Sequence, residues 1–165
     1  ATAVGEELMG IPSFDAPDFS ELFAEEKDLV KRLKKVFLMV AGSAVQKFGP
    51  DLEKHQMLLM AASDILIQVY LAESAILRTE KNAKRFGEGS QEAQIAMSKL
   101  NLYRAVEIVN QKGKEAIVSF AEGDEQRMML MGLKRFTKYT NYPNVVALRT
   151  QIADKVAEDN GYTFD

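Results

Sequence analysis

Apolar residues recur every three or four positions over most of the chain, which is the spacing of one face of an α-helix. The segments with this spacing are separated by the chain's few glycine and proline residues, as loops separate helices in a helical protein. Gly49 and Pro50 end the first long segment, and Pro143 stands where a helix accepts proline best, in its first turn. The pattern predicts three long helices and two short ones, over 18–48, 51–85, 90–122, 124–139 and 143–161.

The predicted elements indicate one fold class. No segment shows the strict alternation of apolar and polar residues that a half-buried strand requires. Long helices joined by short connections favour an all-α fold, an antiparallel, up-and-down helical bundle. Residues 1–17 end in a stretch with two prolines, which predicts an extended linker arm ahead of a bundle domain over 18–165. Asp18 and Glu21 have the spacing of an N-terminal capping box.

The predicted helix 51–85 is apolar on nearly every side. Its expected core stripe is Leu52, Leu59, Ala62, Leu66, Val69, Ile76 and Leu77, and its further apolar residues are Met57, Leu58, Met60, Ile65, Ile67, Tyr70 and Leu71. Such a helix is covered on most sides, so we expect an absent domain or a second subunit to complete the cover. Asp64 and Glu73 would be costly in hydrocarbon, which argues against a membrane span from Met57 to Leu77.

A glycine interrupts the apolar seam of the third predicted helix. The seam residues Ile95, Leu102, Val106, Val109, Ile117 and Phe120 have the spacing of a bundle contact. Gly113 within this seam either lets a second helix approach closely or is merely tolerated there, and the sequence favours neither alternative.

The composition excludes several kinds of functional site. The 165 residues, about one domain's worth, contain no cysteine, which excludes a disulfide framework, a thiolate metal site and a cysteine nucleophile. The single histidine excludes a metal site built from histidines alone. Lysine and arginine number 21 against 24 aspartate and glutamate, and the net charge of −3 excludes the broad basic face of a general nucleic-acid-binding protein.

Two residues are candidates for chemistry, and we favour a structural role for both. His55 lacks the further ligands that a metal site in a helical bundle needs, so we expect a structural or surface histidine. Glu73 lies on the apolar stripe of the second helix, where a carboxylate is either a general base or a paired group that fixes helix register. We expect a buried polar pair, with Arg104 or Lys99 of the third helix as the partner.

The chain lacks the motifs on which many enzyme sites are built. Residues 87–89 supply two glycines without the third glycine or the preceding strand of a dinucleotide-binding loop, and no lysine-containing phosphate loop occurs. No serine stands in the strand-to-helix turn of a hydrolase nucleophile. We therefore assign no catalytic, cofactor-binding or metal-binding residue to this segment.

The fourth predicted helix is the best candidate for an interaction surface. Its candidate residues for contact with a partner or a membrane are cations and methionines, namely Arg127, Met128, Met131, Lys134, Arg135 and Lys138. A basic amphipathic helix can dock on an acidic partner or lie on an anionic membrane surface. We favour the alternative of an ordinary bundle helix, in which methionine and leucine pack inward while the cations stay in water.

Three stretches resemble a known protein family. They are LKKVFLMVAGSAVQKF at 33–48, LAESAILRTEK at 71–81 and AMSKL at 96–100. Together they resemble the extra C-terminal helical domain of acyl-CoA dehydrogenases of the very-long-chain type and their bacterial relatives, over about residues 20–160. The resemblance implies the same helical bundle, and the matching motifs carry helix packing rather than chemistry.

The resemblance implies a parent enzyme, of which this chain, beginning with Ala1, is a fragment. Enzymes of the family use FAD to desaturate an acyl-CoA thioester between its α and β carbons, and they pass the electrons to an electron-transferring flavoprotein. Their flavin-binding segments and catalytic glutamate lie upstream of the extra domain, so no such residue is carried over to this sequence. The absence of cysteine and of a recognisable targeting signal favours a bacterial cytoplasmic setting.

We therefore expect an accessory domain without an active site of its own. The resemblance implies two partners, the flavoprotein core of the same chain and further copies in a homo-oligomer. Attachment to a membrane surface, as in mitochondrial members, is a weaker expectation, and no nucleic acid is expected. The alternative is a stand-alone helical interaction module unrelated to flavin chemistry.

Overall fold

The computed structural model describes residues 21–161. These residues form five α-helices and two 3-10 helices, Gly49–Lys54 and Glu88–Gln91, and no strand occurs among them. The α-helices are α1 (Ala24–Phe48), α2 (Gln56–Phe86), α3 (Glu92–Phe120), α4 (Gly123–Phe136) and α5 (Val145–Asp159). The prediction of an all-α fold with three long and two shorter helices is confirmed. The predicted linker arm, 1–17, and the expected cap Asp18 lie outside the described residues.

The middle one of the three long helices, α2, runs antiparallel to both α1 and α3. Four side-chain contacts show the register: Lys27–Glu80, Lys34–Glu73, Thr79–Ser98 and Asp64–Lys112. In both helix pairs the residue numbers rise along one helix while they fall along the other. α4 packs against α1 and α3, and α5 lies along α3.

The core lies where the three long helices and α4 meet. Its fully buried side chains include Leu29, Leu33, Val36, Val40, Ile65, Ile76, Leu102, Val109, Ile117 and Leu133. The members on α3 belong to the seam that the sequence predicted. α5, in contrast, has no buried residue.

The expected stripe of α2 is partly wrong. Leu66 and Leu77, which belong to that stripe, are about half exposed, whereas Leu58 and Ile65, which lie outside it, are buried. Because α2 is apolar on nearly every side, periodicity does not single out one face. The contacts with α1 and α3 decide which face is buried.

α1 and α2 begin later than predicted. Phe23 has a left-handed backbone with φ of 62°, through which a helix cannot continue, so α1 starts at Ala24 rather than near residue 18. Pro50 has no amide hydrogen to donate, and the chain around it forms a 3-10 helix before α2 starts at Gln56.

The remaining boundaries shift by about two or three residues. The 3-10 helix Glu88–Gln91 delays the start of α3, and α4 ends at Phe136 rather than at residue 139. Asn144 caps α5 by accepting a hydrogen bond from the amide of Ala147 at 3.1 Å, so Pro143 lies before the helix and not in its first turn. These limits depend on caps and turns that the apolar pattern does not contain.

Gly113 brings α3 and α4 together. A Cβ atom added to it would lie 2.7 Å from Cδ1 of Leu133 on α4, well inside van der Waals contact. Of the two alternatives for this glycine, the structure therefore supports close approach of a second helix.

Candidate docking surfaces

α2 turns an apolar surface outward. Seven of its large apolar side chains are 48–78% exposed, namely Met57, Met60, Leu66, Ile67, Tyr70, Leu71 and Leu77. We call these seven residues the α2 outer face, and at 1.5 Å per helical residue it extends over about 30 Å. Exposed apolar surface of this extent indicates contact with another protein or with a membrane.

The carboxylates of α2 are paired within the bundle. α2 is long and apolar enough to cross a membrane by length and composition alone, and only 28% of its most apolar 18-residue stretch is buried. Its carboxylates nevertheless have partners, since Asp64 lies 3.7 Å from Lys112 and Glu73 lies 2.6 Å from Lys34. Within the described residues, it is the apolar side of α2 that lacks cover.

The predicted pair of Glu73 and Arg104 is wrong. Glu73 pairs with Lys34 of α1 and is 37% exposed, while Arg104 is exposed on α3. Lys99, the other expected partner, lies 3.4 Å from Glu26. The physical reason is that Glu73 lies on the flank of α2 that faces α1, so the ion pair fixes the register of α1 and α2 instead.

Glu80 joins the start of α1 to the end of α2. Its side chain is 12% exposed and accepts hydrogen bonds from Lys27 at 2.6 Å and from Lys84 at 2.9 Å. These two hydrogen bonds, from Lys27 first, hold the pKa of Glu80 below its ordinary value, against the opposing effect of burial. The folded chain therefore binds the Glu80 proton less readily than the unfolded chain does.

The Glu80→Gln variant is expected to lose less stability in acid than the wild type. A carboxylate with a lowered folded-state pKa stabilises the fold above its unfolded-state pKa, and this stabilisation is lost as pH falls through the folded-state pKa. We expect the variant to be less stable at pH 7 and to show a flatter fall of Tm between pH 7 and pH 3. Thermal unfolding followed by circular dichroism measures both.

Glu53→Gln is the matched control for this experiment. Glu53 is exposed, and no ion pair to it occurs in the described part of the chain. The Tm of the Glu53→Gln variant should fall between pH 7 and pH 3 as steeply as that of the wild type. If Tm fell equally steeply in all three proteins, the contacts of Glu80 would not contribute to the pH dependence of stability.

All six predicted contact residues on or just after α4 are exposed. They are Arg127, Met128, Met131, Lys134, Arg135 and Lys138, which recur at helical spacing and share one face, the α4 face. The opposite face is buried through Met129, Leu133 and Phe136. The favoured expectation of inward-packed methionine thus holds for Met129, while Met131 is 67% exposed.

His55 lies against an aromatic ring at the end of α1. Its imidazole stacks on Phe48 with ring centroids 3.7 Å apart, and the residue is exposed. Residues 21–161 contain no group of three or more histidine, cysteine, aspartate or glutamate side chains that could hold a metal ion. The contacts of His55 are those of a surface histidine packed on a neighbour.

The connection between α4 and α5 is anchored by contacts that the sequence did not indicate. Tyr139 is buried between Tyr103 and Tyr142, with ring centroids at 6.3 Å and 5.3 Å. Glu25 accepts hydrogen bonds from the amide and side chain of Asn141, 116 positions away. Burial, and then the charge of Glu26, raises the pKa of Tyr139 and keeps its hydroxyl protonated. The turn residues near 141–144 mark a loop, but no local signal identifies partners so distant in the sequence.

An open groove of about 790 Å³ lies between α5 and the start of α3. Its lining includes the carboxylates of Glu92, Asp154 and Glu158, while Lys155 on its wall pairs with Asp159 at 2.6 Å. No histidine or cysteine lines it. The groove therefore offers a negatively charged surface and lacks a nucleophile paired with a base.

The fold is an all-α bundle domain, and its α2 helix carries an exposed apolar face. The profile of the family "Acyl-CoA dehydrogenase, C-terminal domain" matches residues 32–135. The chain belongs to this family, as its sequence motifs led us to expect.

Two bacterial proteins show how the chain relates to larger ones. It is 33% identical to a "Probable acyl-CoA dehydrogenase" of Bacillus subtilis over 163 residues, which are 99% of this chain and 27% of that protein. It is also similar to the crystal structure of an acyl-CoA dehydrogenase complexed with FAD from Bacillus anthracis, with 36% identity and a TM-score of 0.88. That match again covers 99% of this chain and 27% of the other. The chain thus spans about a quarter of the length of these relatives.

Proposed function

We propose that this chain is the accessory C-terminal domain of an FAD-dependent acyl-CoA dehydrogenase and has no active site of its own. Its α2 outer face packs against the flavoprotein core of the same parent chain. The exposed apolar surface of α2 carries this proposal. The relatives supply a candidate for the cover, because the part of each that matches this chain is only 27% of its length.

The chemistry of the parent is the desaturation of an acyl-CoA thioester between its α and β carbons, as a step of fatty-acid oxidation. The groove beside α5 does not fit FAD, because the carboxylates of Glu92, Asp154 and Glu158 in its lining would repel a pyrophosphate. We place the flavin and the catalytic base on the remainder of the parent. An electron-transferring flavoprotein as acceptor, a homo-oligomeric parent and the bacterial cytoplasm complete the proposal.

Oxidation of exposed methionines by hydrogen peroxide tests the contact. Met57 and Met60 on the α2 outer face are 78% and 59% exposed, and Met128 and Met131 on the α4 face are 49% and 67% exposed. In this chain alone, all four are expected to form sulfoxide readily. In the full-length parent, we expect Met57 and Met60 to oxidise about tenfold more slowly, because opening of the contact must precede attack. Peptide mass spectrometry measures the rate at each methionine.

Met128 and Met131 are the internal control for this experiment. Their rates should be equal in the two proteins if α2 and not α4 makes the contact. Unchanged rates at Met57 and Met60 in the parent would contradict the proposal. Protection that already occurs in this chain alone at high concentration would assign the α2 outer face to a second copy instead.

The α4 face is a second candidate for contact, with an acidic partner or an anionic lipid surface. The observation in its favour is that Arg127, Met128, Met131 and Lys134 are all exposed on one side of the helix. Slower oxidation of Met128 and Met131 on addition of vesicles with anionic lipid would support the lipid surface. A start codon directly before Ala1 in the coding DNA would favour the other alternative, a stand-alone interaction module.

A further inference from the structure

One ridge of α2 changes from apolar to cationic along its length. Ile67, Leu71, Arg78, Lys81 and Arg85 are separated by four, seven, three and four residues, which places them on one side of the helix. All five side chains are exposed. The ridge therefore leads from apolar residues of the α2 outer face to three cations along one uninterrupted helix.

The three cations are not neutralised by the bundle. Every acidic residue of α2 already has a partner in the chain, since Asp64 pairs with Lys112, Glu73 with Lys34, and Glu80 with Lys27 and Lys84. Of the four cations at the end of α2, only Lys84 shares in these pairs. No ion pair to Arg78, Lys81 or Arg85 occurs within residues 21–161. A local charge of about +3 thus stands at one end of the apolar surface, in a chain whose net charge is −3.

We infer that the surface of the parent's flavoprotein core that covers the α2 outer face carries an acidic patch opposite Arg78, Lys81 and Arg85. This inference rests on the proposed function. A stable contact buries about 800 Å² on each partner, so a surface that covers the apolar residues as far as Leu77 also approaches Arg78. Cations covered by a partner that offers no carboxylate would lose hydration without compensation.

The charges would also determine how the bundle is positioned on its partner. The α2 outer face is a row of apolar side chains repeated along a straight helix, and such a surface fits a partner almost equally well after a shift of one turn. Cations at one end only, opposite aspartate and glutamate carboxylates, distinguish the correct register from a shifted one. The apolar residues supply affinity in this arrangement, and Arg78, Lys81 and Arg85 supply orientation.

The test replaces the three cations together in the full-length parent. The triple variant Arg78→Gln, Lys81→Gln, Arg85→Gln is compared with the control Arg127→Gln, Lys134→Gln, Lys138→Gln, which removes the same charge from the α4 face. All six side chains are exposed, so both variants should fold. The readout is the rate of peroxide oxidation at Met57 and Met60, measured at low and at high NaCl concentration.

In the α2 variant, peroxide is expected to oxidise Met57 and Met60 about five- to tenfold faster than in the wild type at low salt. This is the effect expected from the loss of three partly exposed ion pairs. In the wild type, added salt should raise these rates toward those of the variant, because salt screens the charges. The control variant should follow the wild type.

The outcomes separate this inference from the proposed function. Unprotected Met57 and Met60 in the wild-type parent would overturn both. Protected methionines whose rates do not respond to the α2 variant or to salt would leave the apolar contact in place and overturn the acidic patch. Equal acceleration by both triple variants would assign the effect to net charge and also overturn it.

Discussion

Replacement of Leu133 by alanine is expected to lower the free energy of unfolding by about 3 kcal/mol. Leu133 is 1% exposed and lies where α4 meets α3, in direct contact with the backbone of Gly113. Truncation removes buried methyl groups and leaves a cavity, because α3 and α4 cannot close around a single missing side chain. For a chain of this size, a loss of that magnitude lowers Tm by about 10 °C.

The sign of the Gly113→Ala effect is expected to depend on Leu133. With leucine at 133, the new Cβ lies 2.7 Å from Cδ1 and 3.2 Å from Cδ2, and the enclosed leucine must shift. This crowding outweighs the higher helix propensity of alanine, so the free energy of unfolding of the variant falls by about 1 kcal/mol. With alanine at 133 the crowding is absent, and the same substitution should gain about 1 kcal/mol from helix propensity and from filling part of the cavity.

Chemical denaturation of the wild type, both single variants and the double variant measures this cycle. A coupling of about 2 kcal/mol between positions 113 and 133 is expected, within the range observed for residues in contact. Additive effects would contradict it, because they would mean that the glycine is only tolerated and that α3 and α4 do not depend on its missing side chain.

Gly113 shows how far the sequence could predict the fold. Its place within the seam of α3 was visible from spacing, and so was the possibility of a close approach there. The partner was not, because Leu133 belongs to another helix and nothing in the local pattern names it. The number of helices and the all-α class follow from periodicity, whereas the pairing of helices is a tertiary property.

The buried face of α2 illustrates a second limit. A helix with polar residues on one side reveals its buried face, but α2 is apolar on nearly every side, so Leu66 was expected inside and Ile65 was not. The same surplus of apolar residues did predict that something outside this chain must cover α2. The feature that obscured the local packing is therefore the one that indicated the docking surface.

The candidate contact residues divide in a similar way. The exposure of the cations on the α4 face could be predicted, because they recur at helical spacing. The exposure of Met128 and Met131 was not predicted, because methionine was expected to pack inward. The partner of Glu73 could not be predicted either, since Lys34 and Arg104 are equally plausible cations until the flank of α2 that faces α1 is known. An ion pair depends on which helices are neighbours, and the apolar pattern does not contain that information.

Two isoleucines, two positions apart on α2, should differ strongly in how much their truncation destabilises this chain. Ile65 is fully buried, and Ile65→Ala is expected to cost about 3 kcal/mol in this chain. Ile67 is 51% exposed on the α2 outer face, and Ile67→Ala should change the stability of this chain by no more than about 0.5 kcal/mol. Both substitutions change helix propensity equally, so the difference reports burial alone. Urea unfolding of the two variants and the wild type measures it.

The same two variants distinguish the core of the bundle from the α2 outer face, the proposed contact surface. If Ile67→Ala cost as much as Ile65→Ala in this chain, the α2 outer face would already be covered within it, and no partner would be needed. A small effect here, followed by a loss of about 1 kcal/mol or more when the truncation is made in the full-length parent, is the signature of an interface residue. Ile65→Ala should lower the free energy of unfolding by a similar amount in this chain and in the parent, because the contacts of Ile65 with the bundle do not depend on the rest of the enzyme. The contrast therefore tests whether α2 stabilises two structures at once, with one face in the bundle and the other against the flavoprotein core.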